Sequence, residues 1–235
     1  MGGLTQSVGS TGVGRPRSAK GRAREIARRL IEEYPAEKCA LVHDSPFQLI
    51  VATVLSAQCT DVRVNMVTPK LFSRYPAPAD LANANPVELE ELVRTTGFFR
   101  SKARNLIGLA TALEERYGGE VPTDLRDLTT LPGVGRKTGN VVRSVAFGLP
   151  GLPVDTHVGR LSRRLGLTTE QDPVKVEHEL MSLLPPDQWG DFSLRLIAHG
   201  RQVCDARKPR CESCTLADIC PSSTLVGGRR KNVGR

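Results

Sequence analysis

The chain has few aromatic residues: one Trp, three Tyr and six Phe, or 4% of its 235 residues. Its helical patterns therefore bury mainly Leu, Ile and Val, which are numerous enough to form a core. Six cysteines in a chain of this length are too sparse for a secreted disulfide scaffold. Uninterrupted apolar runs of the ~18–20 residues that a membrane span needs are also missing, so we expect no association with a membrane.

The formal net charge of +8 is concentrated at the two ends of the chain. Nine of the 33 basic residues and none of the 25 acidic residues lie within 1–24 and 221–235, which leaves the body with 24 bases against 25 acids. A pI near 9.5 therefore does not indicate that the folded body binds a polyanion. We predict a disordered basic N-terminal arm at 1–18 and a basic C-terminal tail at 222–235. Solvated disorder and nucleic-acid binding both remain open for these tails.

The beginning of the chain does not resemble a targeting segment. Residues 1–20 are rich in Gly, Ser, Thr and Arg and contain no apolar segment, which argues against a secretory signal. An organelle transit peptide fits poorly as well, because the segment is broken by glycines and is not amphipathic. We therefore expect an intracellular protein.

Between the tails, apolar residues recur with a helical period, and no convincing strand alternation is present. Ser45 is a predicted N-cap, followed by a first-turn Pro and a capping-box Gln, and it marks the start of an apolar helix. Ser101 is expected to cap a long helix that Gly118 and Gly119 end. About ten helices with short connections predict an all-α architecture, and the lack of a fixed repeat argues against a solenoid.

A glycine-containing hairpin connects two of these helices, and it comprises Pro132, Gly133, Val134, Gly135 and Arg136. Two glycines one residue apart allow a tight turn that exposes backbone N–H groups at the start of the second helix. Such groups bind a phosphate without reading base sequence, so they would let a body without excess positive charge hold DNA. A plain helix–turn–helix corner remains the alternative interpretation.

Four of the six cysteines, Cys204, Cys211, Cys214 and Cys220, lie within 17 residues with the spacing C-x6-C-x2-C-x5-C. Four thiolates this close in the chain can surround one metal centre. Zinc sites more often use paired C-x2-C knuckles separated by a long loop, whereas a compact loop with unequal spacers fits a single [4Fe-4S] cluster better. A zinc-bound structural protein stays open as an alternative, and disulfides fit poorly in an intracellular chain.

The order of these features resembles the endonuclease III family of bifunctional DNA glycosylase/lyases, in the helix-hairpin-helix superfamily. The resemblance is carried, in chain order, by LSAQCTD at 55–61, TGF at 96–98, SKA at 101–103, LPGVGRKTGN at 131–140, VDTHV at 154–158 and the four-cysteine loop. It implies two helical domains with a DNA-binding cleft between them. One is a six-helix domain at 39–149 that contains the hairpin, and the other is an iron-sulfur cluster domain formed by 19–38 and 150–221.

The resemblance also implies excision of oxidised pyrimidines from double-stranded DNA and cleavage at abasic sites, with Lys137 and Asp155 as catalytic residues. Breaking the bond from C1′ to the base develops positive charge on the sugar, so a nucleophile and a nearby carboxylate suit this reaction. Lys137 lies in the first turn of the helix after the hairpin, where the helix dipole and a closed, dry pocket are expected to favour a neutral amine. Such an amine can form a Schiff base at C1′ and permit β-elimination. Asp155 is expected to cap a helix as well.

In the family, a Gln and a wedge residue fill the space that a flipped nucleotide leaves, and these positions correspond to Gln58 and Phe98. Phe98 departs from the family, where the wedge is often aliphatic. His157 is expected to orient or contact DNA rather than act as an acid. Three basic residues between the first two cysteines are expected to meet phosphates: Arg207, Lys208 and Arg210.

Two other functions stay open. An adenine-type mismatch DNA glycosylase shares the fold and the cluster but typically lacks the hairpin lysine and carries a further C-terminal domain, so Lys137 and the end of the chain at Arg235 argue against it. A non-catalytic helix-hairpin-helix DNA-binding protein would leave Lys137 and Asp155 without a role. We expect a monomer in the bacterial cytoplasm that associates with the nucleoid through DNA.

Overall fold

The structure, a computed structural model, describes residues 18–225, so the predicted N-terminal arm and C-terminal tail lie outside the described residues except for Ser18 and residues 222–225. Within that range it contains eleven α-helices and no strand, which confirms the all-α prediction. The helices are α1 Ala19–Glu33, α2 Pro46–Leu55, α3 Asp61–Arg74, α4 Pro78–Ala82, α5 Pro86–Val93, α6 Phe99–Tyr117, α7 Leu125–Thr130, α8 Arg136–Val141, α9 Thr156–Arg164, α10 Pro173–Leu183 and α11 Trp189–Gln202. Short 3-10 turns form at Arg94–Thr96, Pro186–Gln188 and Cys211–Ser213, and a π-helical turn at Val142–Ala146 extends α8. None of the described helices is long and apolar enough to cross a membrane.

Local capping explains where several helices begin. The Ser45 hydroxyl accepts a hydrogen bond of 3.2 Å from the Gln48 amide at the start of α2, as predicted. The prediction that Ser101 caps α6 is wrong, because the helix begins at Phe99 and Ser101 lies inside its first turn. Gly97 (φ 73°) and Phe98 (φ 48°) reverse the chain just before this point. The helix therefore begins without a side-chain cap.

The helices enclose two separate apolar cores. The first is formed by residues between Leu41 and Val142, and the central helix α6 contributes the fully buried Leu106, Leu109 and Leu113. The second joins α1 to residues between Leu152 and Ile219. Burying one leucine side chain contributes roughly 1.5–3 kcal/mol, so each core is an independent source of stability.

Two ion pairs connect elements of the first core to elements of the second. Arg136 at the start of α8 binds Glu177 of α10, with a closest distance of 2.8 Å between Nη2 and Oε1. Asp61 at the start of α3 binds Arg201 of α11, also at 2.8 Å. These two ion pairs therefore hold helices of the two cores next to each other.

The hairpin between α7 and α8 packs tightly against its surroundings. Gly133 has a φ of 77°, and a Cβ there would lie 3.1 Å from Asn105 of α6 and 3.2 Å from Val54 of α2. At Gly139, a Cβ would lie 2.7 Å from the Leu125 side chain of α7. Glycine at these two positions allows the hairpin to approach the neighbouring helices closely.

Candidate functional site

The hairpin presents only part of its backbone to the surface. Leu131 and Val134 are buried, and the Val134 amide donates a 3.0 Å hydrogen bond to the Leu131 carbonyl within the turn. Gly135 caps α8 without a side-chain hydrogen bond, and a Cβ at Gly135 would have no neighbour within 4 Å. The open face of the hairpin is therefore the one at Gly135, while Val134 anchors the turn.

Arg136 was expected to contact DNA, but its guanidinium is engaged within the protein. Its Nε and Nη2 donate to the two carboxylate oxygens of Glu177, at 2.9 and 2.8 Å. The Glu177 side chain is 5% exposed, whereas that of Arg136 is 38% exposed. A bidentate pair of this kind fixes α8 against α10 and occupies Nε and Nη2, which form one of the two donor edges of the guanidinium.

Lys137 and Asp155 come from different helices but line one pocket. Lys137 is the second residue of α8, and its side chain is exposed. Asp155 is the N-cap of α9, as predicted, because its Oδ1 accepts a 2.8 Å hydrogen bond from the Val158 amide. Its second carboxylate oxygen lies 3.2 Å from Nδ1 of His157. The carboxylate is thus held in one orientation by a helix terminus and an imidazole.

Residues from elements of both cores complete the pocket. These residues include Cys39, Ser56, Asp61, Pro153, Ile197 and Arg201. Burial raises the pKa of the Cys39 thiol, so this side chain is a neutral wall of the pocket. Sequence reasoning did not identify Cys39 or Arg201, because neither lies near Lys137 or Asp155 in the chain.

One expectation about this pocket needs correction. A closed, dry environment was expected around Lys137, but the side chain is exposed in the free protein. Exclusion of water around Lys137 must therefore come from a bound partner.

Gln58 and Phe98 share an unusual backbone conformation. Their φ angles are 52° and 48°, and among the residues described no other non-glycine residue has a positive φ. Both residues are exposed, with Phe98 66% accessible. Each follows the end of a helical segment, Gln58 after α2 and Phe98 after the 3-10 turn at Arg94–Thr96.

The basic residues between the first two cysteines are all exposed: Arg207, Lys208 and Arg210. The Asp205 carboxylate shapes this loop by accepting from the amides of Arg207 and Lys208, at 2.9 and 3.4 Å. Arg164 of α9 holds the same loop by donating to the carbonyls of Asp205 and Ala206, both at 2.7 Å. The exposed positive charges are therefore presented on an ordered loop.

The four clustered cysteines surround one small cavity next to α9 and α11: Cys204, Cys211, Cys214 and Cys220. None of them forms a disulfide. In the described part of the chain, no three His, Cys, Asp or Glu side chains are arranged to hold a single metal ion. Four thiols around a shared cavity fit the [4Fe-4S] cluster that the spacing of the cysteines predicts.

Two side chains contact the cysteine sulfurs directly. Arg164 donates from Nη1 to the Cys204 sulfur at 3.2 Å, and Nε2 of His199 lies 3.4 Å from the Cys214 sulfur. His199 is buried, and its Nδ1 lies 3.2 Å from the Tyr34 hydroxyl of α1. Sequence reasoning missed Arg164 and His199, since only the tertiary structure brings them to the cysteines.

Comparison with known proteins gives two family matches. Residues 51–186 match the HhH-GPD superfamily of base excision DNA repair proteins, and residues 204–220 match the iron-sulfur binding domain of endonuclease III. The second match spans all four clustered cysteines.

Similar individual proteins agree with these matches. Endonuclease III of Synechocystis sp. is 54% identical over 207 residues, which cover 88% of this chain and 94% of the relative. A solved non-covalent endonuclease III–DNA complex is 45% identical with a TM-score of 0.83, covering 86% of this chain and 95% of the other. A trapped endonuclease III–DNA covalent intermediate has the same identity and TM-score and covers 86% and 96%.

Proposed function

The chain belongs to the endonuclease III family within the HhH-GPD superfamily of base excision DNA repair proteins, and from this premise we propose that Lys137 and Asp155 are its catalytic residues. The protein is a DNA glycosylase and abasic-site lyase that contains an iron-sulfur cluster. The assignment of the two residues rests on one observation, that a lysine and an oriented carboxylate from different helices line the same pocket. Oxidised pyrimidines in double-stranded DNA, and abasic sites, are the proposed substrates.

In this proposal Lys137 is the nucleophile. As the bond from C1′ to the base nitrogen breaks, Nζ of neutral Lys137 forms a bond to C1′ and the base leaves with a proton. Opening of the sugar ring gives a protonated Schiff base between Nζ and C1′. Loss of a proton from C2′ then breaks the bond from C3′ to its phosphate oxygen, which cleaves the strand by β-elimination. Exposure of Lys137 in the free protein allows the sugar to reach it.

Asp155 is the proposed electrostatic partner of the sugar. Its carboxylate is held by the Val158 amide and by His157, so it need not reorganise when positive charge develops at C1′. The same carboxylate is available to take the proton that Lys137 must lose before it attacks. His157 then has an orienting role.

We propose that the remaining predicted residues bind the DNA around the lesion. Gln58 and Phe98 occupy the space left by the flipped nucleotide, and the open face at Gly135 and the loop at 207–210 contact phosphates. The bidentate contact with Glu177 supports a structural role for Arg136 instead. We further propose that the two cores correspond to domains at 39–149 and at 19–38 with 150–221, and that the protein acts as a monomer on the bacterial nucleoid.

The four cysteines are the proposed ligands of the [4Fe-4S] cluster. When bound, the cluster supplies iron–thiolate bonds that hold the loop at 204–220 together. Arg164 and His199 orient two of the sulfurs, and Arg164 also orders the backbone that presents Arg207 and Lys208. No step at the sugar involves these residues.

Borohydride trapping tests the assignment of the nucleophile. The protein is incubated with a duplex that contains one thymine glycol, and borohydride reduces any Schiff base to a stable covalent band. We expect this band with the unmodified protein and its loss in Lys137→Gln. Lys175→Gln is the matched control, because Lys175 also lies in the first turn of a helix, α10, but does not line the pocket. A released base without a band would identify a glycosylase that uses water, and an unchanged band in Lys137→Gln would refute the assignment.

A further inference from the structure

Lys102 of α6 is a buried lysine without a carboxylate partner. Its side chain is 4% exposed, and it is the only lysine or arginine that is buried in the described part of the chain. Burial lowers the pKa of its ammonium. Charged groups are seldom buried unless they are paired, so the contacts that Lys102 makes in place of an ion pair require an explanation.

The ammonium binds two backbone carbonyls that lie far apart in the sequence. Lys102 Nζ donates to the Leu55 carbonyl at 2.8 Å and to the Thr96 carbonyl at 2.7 Å. Leu55 is the last residue of α2, and Thr96 is the last residue of the 3-10 turn. Carbonyls at the end of a helical segment have no partner within it and carry partial negative charge, so they suit a buried cation.

Each of these carbonyls immediately precedes a loop with a strained residue. The chain continues from Leu55 to Gln58 and from Thr96 to Phe98, the two non-glycine residues with positive φ in the described range. A left-handed conformation costs free energy for any residue with a side chain, and it persists only where the surroundings enforce it. Among the hydrogen bonds of residues 18–225, those of Lys102 are the ones that join one side chain to the base of both loops.

We propose that Lys102 is a positioning residue that fixes the Gln58 loop and the Phe98 loop relative to each other, so that both side chains enter the DNA together when a nucleotide is flipped. The proposal rests on the proposed function, which assigns Gln58 and Phe98 to the space left by that nucleotide. Both residues are exposed, so the spacing between their side chains depends mainly on the backbone that carries them. A fixed spacing lets the two side chains insert without a separate ordering step.

A purely structural role for Lys102 predicts a different result. If the ammonium only stabilises the fold, its loss lowers the melting temperature and the active fraction, and its effect combines independently with changes at the loop tips. If Lys102 positions the loops, its loss matters less once the Phe98 side chain is already gone. The coupling between positions 102 and 98 therefore distinguishes the two roles.

The experiment uses the full chain with its cluster and compares Lys102→Met, Phe98→Ala and the double variant. Base release from a thymine glycol duplex and strand cleavage at an abasic duplex are measured at saturating protein in a single turnover. A 2-aminopurine next to the lesion reports unstacking by its fluorescence. Lys70→Met is the matched control, since Lys70 is an exposed lysine on α3.

We expect Lys102→Met to lower the rate of base release and the rate of the fluorescence rise by about tenfold. The rate of cleavage at the abasic site should fall by less than about threefold, because an abasic nucleotide leaves the stack more easily than an intact one. The double variant should be no slower than the slower single variant. Independent effects, in which the two factors multiply, would overturn the proposal, and so would wild-type unstacking by Lys102→Met.

A second variant covers the case in which Lys102→Met does not fold. Lys102→Arg keeps the positive charge and can still donate to both carbonyls, but its longer side chain holds these carbonyls further from the α6 backbone. We therefore expect a folded protein that contains its cluster and unstacks the lesion more slowly. Unstacking at the wild-type rate in Lys102→Arg would overturn the proposal. If the unmodified protein unstacks the lesion but releases no base, the proposed function fails while the positioning role of Lys102 is still measured.

Discussion

Replacing Arg136 by Met distinguishes a residue that anchors two helices from a residue that binds phosphate. The change removes the bidentate partner of Glu177, whose side chain is 5% exposed, and leaves a buried carboxylate without compensation. Breaking a fully buried ion pair in this way costs about 3–5 kcal/mol. Because Arg136 itself is 38% exposed and water can reach the site, we expect a cost of about 2–3 kcal/mol. For a chain of this length, that lowers the melting temperature by about 4–12 °C.

The double variant, Arg136→Met with Glu177→Leu, provides the internal test. It leaves no unpaired carboxylate at position 177, so we expect it to regain most of the lost melting temperature even though the ion pair is still absent. Thermal melts are followed by circular dichroism on samples matched for cluster content. Arg24→Met is the control, because Arg24 is an exposed arginine on α1.

DNA binding supplies the opposing measurement. Since Nε and Nη2 of Arg136 are held by Glu177, and Nη2 also lies 3.2 Å from Nε2 of His178, we expect the salt dependence of DNA binding to be the same in Arg136→Met as in the unmodified protein. A lost phosphate contact would instead reduce the slope of the logarithm of the binding constant against the logarithm of salt concentration by about 1. A melting temperature within about 2 °C of the unmodified protein, together with the reduced slope, would refute the reasoning.

Three further predictions follow from other contacts. Asp155→Asn should melt within about 3 °C of the unmodified protein, because Asn caps helices as well as Asp does. It should nevertheless lower the rate of single-turnover base release by at least about 100-fold. A rate within about threefold of the unmodified protein would contradict the role of the carboxylate. Arg29 joins α1 to Asp218 in the cysteine loop at 2.6 Å. Arg29→Leu should therefore increase several-fold the rate at which a chelator removes the cluster, measured by the loss of cluster absorbance. An unchanged rate would argue against this link. Hydrogen bonds from Arg28, and to a smaller extent from Arg29, lower the pKa of Glu25 from 4.5 to about 2. The ionised Glu25 carboxylate therefore stabilises the fold above pH 4.5, and this contribution is lost as the pH falls towards 2. Glu25→Gln should therefore melt about 2–4 °C lower at pH 7, with the difference narrowing below pH 4.5; a difference independent of pH would contradict the assignment.

The start of each helix could be predicted where a cap is a local matter. Ser45 binds an amide three residues further on, and Asp155 does the same for α9, so a short stretch of sequence contains the whole interaction. The prediction failed at Ser101, because α6 begins after a left-handed residue at Phe98. A left-handed conformation at a residue other than glycine is uncommon, and no local pattern of the sequence indicates it.

The sequence by itself determined the all-α fold, the hairpin and the four clustered cysteines, since each follows from residue type and short-range spacing. The resemblance to a family, carried by ordered motifs along the whole chain, selected Lys137 and Asp155 as the proposed catalytic residues. Only the tertiary structure decided what surrounds these residues. It placed Cys39 and Arg201 in the pocket of Lys137, and it paired Arg136 with Glu177. The physical reason is that such contacts depend on how helices pack, and packing brings together residues whose separation along the chain carries no signal.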